Sequence, residues 1–175
     1  MQKNSKSKFT KDRFIIDTSA LISLGLIEMI EPVLSIAEIV VPKGVIGELE
    51  DFTRYEDRLG RIAKKILTYQ ENFIIEEVRL KENIRYLDPV DNECYNLARD
   101  KELPLITDDL KAIKRIGDKI LTYYSTFFLI TLFLLSLLNY DDVLELIEKL
   151  RTERNWRENV IYTETKQEII KNAPD

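Results

Sequence analysis

The sequence predicts an α/β protein: a single-domain α/β/α sandwich built around a mostly parallel sheet. Three observations lead there. Short apolar runs of strand length alternate with longer stretches of helical periodicity along the chain. Glycine and proline are scarce at 5 each, which disfavours an all-β sandwich full of tight turns. The chain has 175 residues, 45% of them apolar and 33% charged, enough for one substantial core and too apolar for disorder.

The elements follow in order. Phe14–Ile16 is the first strand, and Thr18 or Ser19 starts a helix carrying Leu21, Ile22, Leu24, Leu26 and Ile27. Pro32 marks a break before a short helix over Val33 to Ala37, and Ile39–Val41 reads as the second strand. A helix begins at Val45. From Glu50 to Tyr69 the pattern is helical and charged, with Gly60 weakening or splitting it. Phe73–Ile75 is a strand, and residues 77–90 connect onward with a second short β-like piece. A helix over Asp91 to Lys101 precedes the strand Leu103–Ile106, then a helix from Asp109 to Ile116. Asp141 and Asp142 open an amphipathic helix reaching Leu150, and Trp156 to Tyr162 is a final packed segment.

Leu121 to Leu138 carries no charge and reaches the lower length limit of a membrane-spanning helix. It also holds Thr122, Ser125, Thr126, Thr131 and Ser136 and divides naturally in two. Lys119 to Tyr124 reads as a buried strand, and Ser125 or Thr126 caps a buried helix from Phe127 to Leu138. A membrane role is therefore not expected.

A net charge of −5 excludes a generally basic nucleic-acid binder, so any such contact is local or bridged by metal. Histidine is absent, which disfavours zinc hydrolases, Ser-His-Asp chemistry and histidine-based ribonucleases. The chain has no Gly-x-Gly-x-x-Gly or Walker lysine loop. The lone Cys94 reads as a buried core thiol, and with no disulfide possible the expected compartment is the cytoplasm. Residues 1–13 form a basic tail with Lys3, Lys6, Lys8, Lys11 and Arg13, and contain no apolar leader pattern.

What remains is a series of acids. Asp17 ends the first strand, Glu48 follows a strand and a short polar step, Asp91 opens a helix, and Asp108 and Asp109 follow Pro104–Thr107. Ligands of parallel sheets bind beyond the carboxyl ends of the strands. Carboxylates converging there repel one another unless a cation lies among them, and hard divalent ions take oxygen ligands. Each acid has an ordinary reading too: Asp17, Asp91, Asp108 and Asp109 as helix caps, Glu48 as a solvated acid. Only one of Asp108 and Asp109 need face a site.

These pieces together resemble the PIN-domain ribonucleases, a family that includes VapC-type toxins and archaeal ribosome-maturation nucleases. The matching segments are Phe14–Ile22, Val41–Leu49, Asp91–Ala98 and Leu105–Asp109. The resemblance implies a PIN-like nuclease domain over residues 14–165, with a C-terminal tail at 166–175. It implies Asp17, Glu48, Asp91 and Asp109 as catalytic, metal-binding carboxylates for Mg2+ or Mn2+, with Asp108 as a further ligand. Thr18, Ser19 and Thr107 would orient them, and Glu93 rivals Asp91. The implied activity is metal-dependent hydrolysis of RNA phosphodiesters, with Lys43, Arg54, Arg58, Lys111 and Lys114 as candidate phosphate contacts. Implied partners are RNA, an antitoxin or other protein, and a second copy of the chain. The alternatives are a non-catalytic PIN-like binding module and a structure-specific DNA nuclease.

Overall fold

The computed structural model describes residues 11–156 and 159–173. Lys3, Lys6, Lys8 and the rest of residues 1–10 lie outside them. The described residues form β1 (Asp12–Ile16), α1 (Thr18–Leu26), α2 (Ile30–Ile36), β2 (Ala37–Pro42), α3 (Lys43–Phe52), α4 (Arg58–Leu67) and β3 (Ile74–Glu76). There follow α5 (Pro89–Lys101), β4 (Leu105–Ile106), α6 (Leu110–Ile116), β5 (Thr122–Tyr123), α7 (Phe127–Leu134), α8 (Tyr140–Glu153) and α9 (Val160–Lys171).

The expected parallel sheet is present. Its strands lie in the order β3-β2-β1-β4-β5, and every ladder between them is parallel. Parallel central strands are covered on both faces, so they read as unbroken apolar runs. Phe14, Ile15 and Ile16 of β1 are accordingly all buried. Ile15 sits beside Val40 on one side and Leu105 on the other. The chain leaves β1 toward β2 and β3, then returns across it to β4. The gap between β1 and β4 is therefore the topological switch point, the usual place for a ligand in an open α/β sheet. Beyond that edge the ladder continues by one bond, from the Asp17 N–H to the Ile106 carbonyl at 3.1 Å.

Helix α5 lies across β2, β1 and β4, while α7, α8 and α9 pack together. The Phe14 ring meets Phe127 and Phe128 at centroid distances of 5.4 and 5.2 Å, which seats α7 on the central strand. The uncharged stretch 121–138 holds β5, a helix that buries one face through Phe128, Leu129 and Leu132, and a turn, with Leu134, Leu135 and Leu137 exposed; the expected buried strand over Lys119 to Tyr124 is the two-residue, half-buried edge strand β5. Among the described residues no single helix is long and apolar enough to cross a membrane.

Several elements differ from expectation. Helix α2 starts at Ile30 and includes Pro32, which a first helical turn accepts because its N–H has no partner to lose. The break before α4 falls at residues 53–57, where Asp57 caps Gly60 N at 2.8 Å. Gly60 itself is required, since a Cβ there would lie 1.9 Å from the Tyr55 carbonyl. Residues 77–88 contain no strand. They are held instead by α5, whose Asn92 accepts from Ile84 N at 2.8 Å and Asn96 from Lys81 N at 2.9 Å. Helix α7 ends at Leu134, before the expected Leu138, and the chain turns through Ser136 at φ 58. The tail drawn at 166–175 is helical as far as Lys171, and Ile169 is fully buried.

Candidate active site

An acidic concavity opens at the switch point. It encloses about 460 Å³ and is lined by Asp17, Thr18, Ser19, Glu48, Asp51, Asp88, Asp91, Asp109 and Arg154, with Ile22, Phe52, Leu59 and Val90 as its apolar wall.

Asp17 is the best-buried acid of the wall, 4% exposed. It serves as the N-cap of α1, accepting from Ala20 N at 2.8 Å, and also faces the cavity. Its other donors are Ser19 Oγ at 2.9 Å and Thr107 Oγ1 at 2.5 Å. Burial outweighs these donors and lifts its pKa to about 7. Thr107 is the pivot between strand ends, because its hydroxyl also accepts from Asp109 N at 3.1 Å. Ser19 does the same in the other direction, accepting from Asp108 N at 2.9 Å.

Glu48 projects from α3 and accepts from the Thr18 hydroxyl. Burial raises its pKa, and Asp88, Glu93 and Asp51 add repulsion. Asp91 stands in the first turn of α5. Its pKa is lifted to about 7, first by burial and then by Asp88, Asp17 and Asp109. Asp109 caps α6 through Oδ1, accepting from Lys111 N at 2.7 Å and Ala112 N at 3.1 Å.

Two expected members stand elsewhere. Asp108 is buried, but its carboxylate accepts from Ser125 N at 2.8 Å and Ser125 Oγ at 2.7 Å and does not line the cavity. It ties the end of β4 to the approach of α7. Glu93 likewise faces α3, accepting from Gly44 N at 3.0 Å; of the rivals, Asp91 lines the cavity. The basic candidates also lie off the cavity wall. Arg54 pairs with Asp51 at 3.0 Å, Arg58 pairs with Glu153, and Lys43, Lys111 and Lys114 are exposed.

The cavity includes three charged residues that the sequence reading missed. Asp88 is the N-cap of α5, accepting from Asp91 N at 2.7 Å, and Asp followed by Pro89 at the first helical position was a readable signal. Asp51 sits one turn after Glu48 on the same helix face, also readable from spacing. Arg154 follows α8, far from every acidic motif, and no local pattern marks it.

The donor set suits a hard divalent cation: it is all oxygen, and its buried carboxylates repel one another. Among the described residues, however, no three acids stand close enough to form a ready-made metal cage. Such a wall suits an ion that takes few carboxylates and keeps several waters, as Mg2+ does.

Comparison with known proteins adds the following. Residues 13–171 match the family model DUF3368, described as a PIN domain. Among solved structures the chain is similar to a domain of a functionally unknown protein from Methanocaldococcus jannaschii DSM 2661, at 21% identity and a TM-score of 0.48, covering 65% of this chain and 90% of that one. It is also similar to VapBC-1 from nontypeable Haemophilus influenzae, at 17% identity and a TM-score of 0.47, covering 65% and 98%. No curated protein matches. PIN domains are generally nucleases. With the family model spanning nearly all of the described residues, the chain belongs to the PIN-domain family.

Proposed function

We propose that this PIN domain is a metal-dependent endoribonuclease that hydrolyses RNA phosphodiester bonds with Mg2+ or Mn2+. The observation that carries the reading is the oxygen-lined cavity at the β1–β4 switch point, with Asp17 and Asp91 both raised to about 7. Carboxyls held that close to neutrality in one cavity await a positive charge.

In this reading Asp17, Glu48, Asp91 and Asp109 hold the cation, and Asp88 and Asp51 add negative potential around it. Thr107 and Ser19 aim Asp17, and Thr18 aims Glu48. Asp17 and Asp91 give up their remaining protons as the cation enters. When bound, the cation supplies polarisation of the phosphodiester and a lowered pKa for the attacking water. The apolar wall of Ile22, Phe52, Leu59 and Val90 limits the solvent that would screen these charges. A toxin's setting in the cytoplasm, restrained by an antitoxin, is the narrowest form of this proposal. Growth arrest on expression, relieved by Asp17→Asn, is its test.

One observation favours the binding-module alternative: no three acids among the described residues are pre-assembled for a metal. A panel of structured and single-stranded RNAs, with single-stranded and branched DNA beside them, decides between the readings. It is incubated with Mn2+, Mg2+ or EDTA, with Asp17→Asn as control. RNA cleavage that needs both metal and Asp17 is expected. Preference for branched DNA would make it a DNA nuclease. No cleavage, with no Mn2+ binding by calorimetry, would leave the module.

A further inference from the structure

Among the described residues the cavity wall contains one cation, and its placement is built into the fold. Arg154 lies just past the end of α8 and lines the cavity beside Asp17, Asp51, Asp88 and Asp91. Three features hold that chain end. The preceding residue, Glu153, pairs with Arg58 at the start of α4. The following residue, Asn155, adopts φ 55, the left-handed conformation that ends helices. Trp156 is then buried at 5% exposure, with its N–H on the Arg151 carbonyl at 2.8 Å. The guanidinium is thus delivered from a helix C-terminus, where a positive charge is favoured.

An arginine among so many carboxylates would ordinarily be consumed by one of them. Among the described residues, no carboxylate lies within ion-pair distance of Arg154; its charge acts on Asp108, off the cavity, and Asp51 pairs with Arg54 instead. Its five fixed donors match the geometry of a phosphate's non-bridging oxygens. We infer that Arg154 is the substrate-phosphate clamp of this site, binding the RNA backbone opposite the carboxylate wall. The inference rests on the RNA-nuclease reading above.

The test is equilibrium binding of a fluorescein-labelled single-stranded RNA of mixed sequence to the cleavage-dead Asp17→Asn protein, across a salt series. Adding Arg154→Gln should weaken binding about tenfold and lessen the slope of log K against log salt by about 0.7, one phosphate contact on a single strand. Arg154→Lys should recover most of the salt slope and part of the affinity, because it keeps the charge and loses the fork. Arg154→Gln should melt within about 2 °C of its parent. Unchanged affinity and slope in Arg154→Gln would overturn the inference while leaving the nuclease reading intact. Unchanged RNA binding with tighter Mn2+ binding would also overturn it, making Arg154 a counter-charge to the acids. If Asp17→Asn itself binds no RNA, the RNA reading fails first and takes this inference with it.

Discussion

Asp17 and Asp108 end adjacent strands and are nearly equally buried, 4% and 7% exposed. In both, burial raises the carboxyl pKa against donors that oppose it. They differ in what surrounds the oxygens. Asp17 accepts from Ser19, Ala20 and Thr107 and still opens onto the cavity. Asp108 likewise has both oxygens engaged, by Ser125, and does not line the cavity. Position at a strand end, burial and hydrogen bonding do not distinguish a cavity-facing carboxylate from one sealed in the fold. Access to the cavity does.

The largest expected effect separates the two directly. Asp17→Asn should cut RNA cleavage at least about 100-fold in a protein that still folds. Asp108→Asn presents an amide where Ser125 donates, and should lose about 2 kcal/mol of stability while cleaving within about threefold. Cleavage assays beside urea melts measure both, and the reverse pattern would break the comparison.

A second expectation concerns pH. The Asp17 carboxyl has an ordinary value of 3.8 and is raised to about 7, so between those values the folded protein binds more protons than the unfolded chain. Stability of the metal-free protein therefore falls as pH rises from about 4 to about 7. Asp91 adds to the same slope. Saturating Mn2+ should raise the melting temperature at pH 7 by about 5 °C and remove this part of the slope. The part due to Asp108 should persist with Mn2+ present, because its carboxylate is off the cavity. Melting curves with EDTA or Mn2+ across that range show whether the two acids separate.

The donors give smaller contrasts. Thr107→Val removes a 2.5 Å bond to Asp17 and should weaken Mn2+ binding about tenfold. Ser125→Ala should cost about 1 kcal/mol of stability and leave Mn2+ affinity unchanged. Least of all, Lys111→Ala and Lys114→Ala, both exposed on α6, should alter stability by under about 0.5 kcal/mol and cleavage by less than twofold.

The sheet was legible because Phe14–Ile16 of β1 and Ile39–Val41 of β2 are unbroken apolar runs, and parallel burial leaves that imprint. Asp17, Asp91 and Asp109, which line the cavity, sit beside a strand end or helix start, where sequence marks them; Glu48 lies midway along α3 and was singled out by the run Val41–Gly47 before it. What sequence could not convey was orientation. Asp108 and Asp109 are neighbours, yet one faces Ser125 and the other caps α6 at the cavity, a choice made where Ser125, between β5 and α7, meets the residues after β4. The expected strand within 77–90 failed because Asn92 and Asn96 supply the backbone partners a ladder would have provided. Arg154 was invisible because its role depends on where α8 ends in space, and nothing adjacent in sequence records that.

The strand order carries a consequence for the order of synthesis. Asp17 emerges early, yet the Thr107 hydroxyl that aims it lies 90 positions later, and Arg154 later still. During vectorial synthesis β1, β2 and β3 can pair first, leaving the edge of β1 open until β4 leaves the ribosome. The acidic wall exists only in fragments over that interval. A nascent chain therefore carries no assembled acidic wall until β4 has joined β1, and Arg154 is the last of the lining residues to arrive.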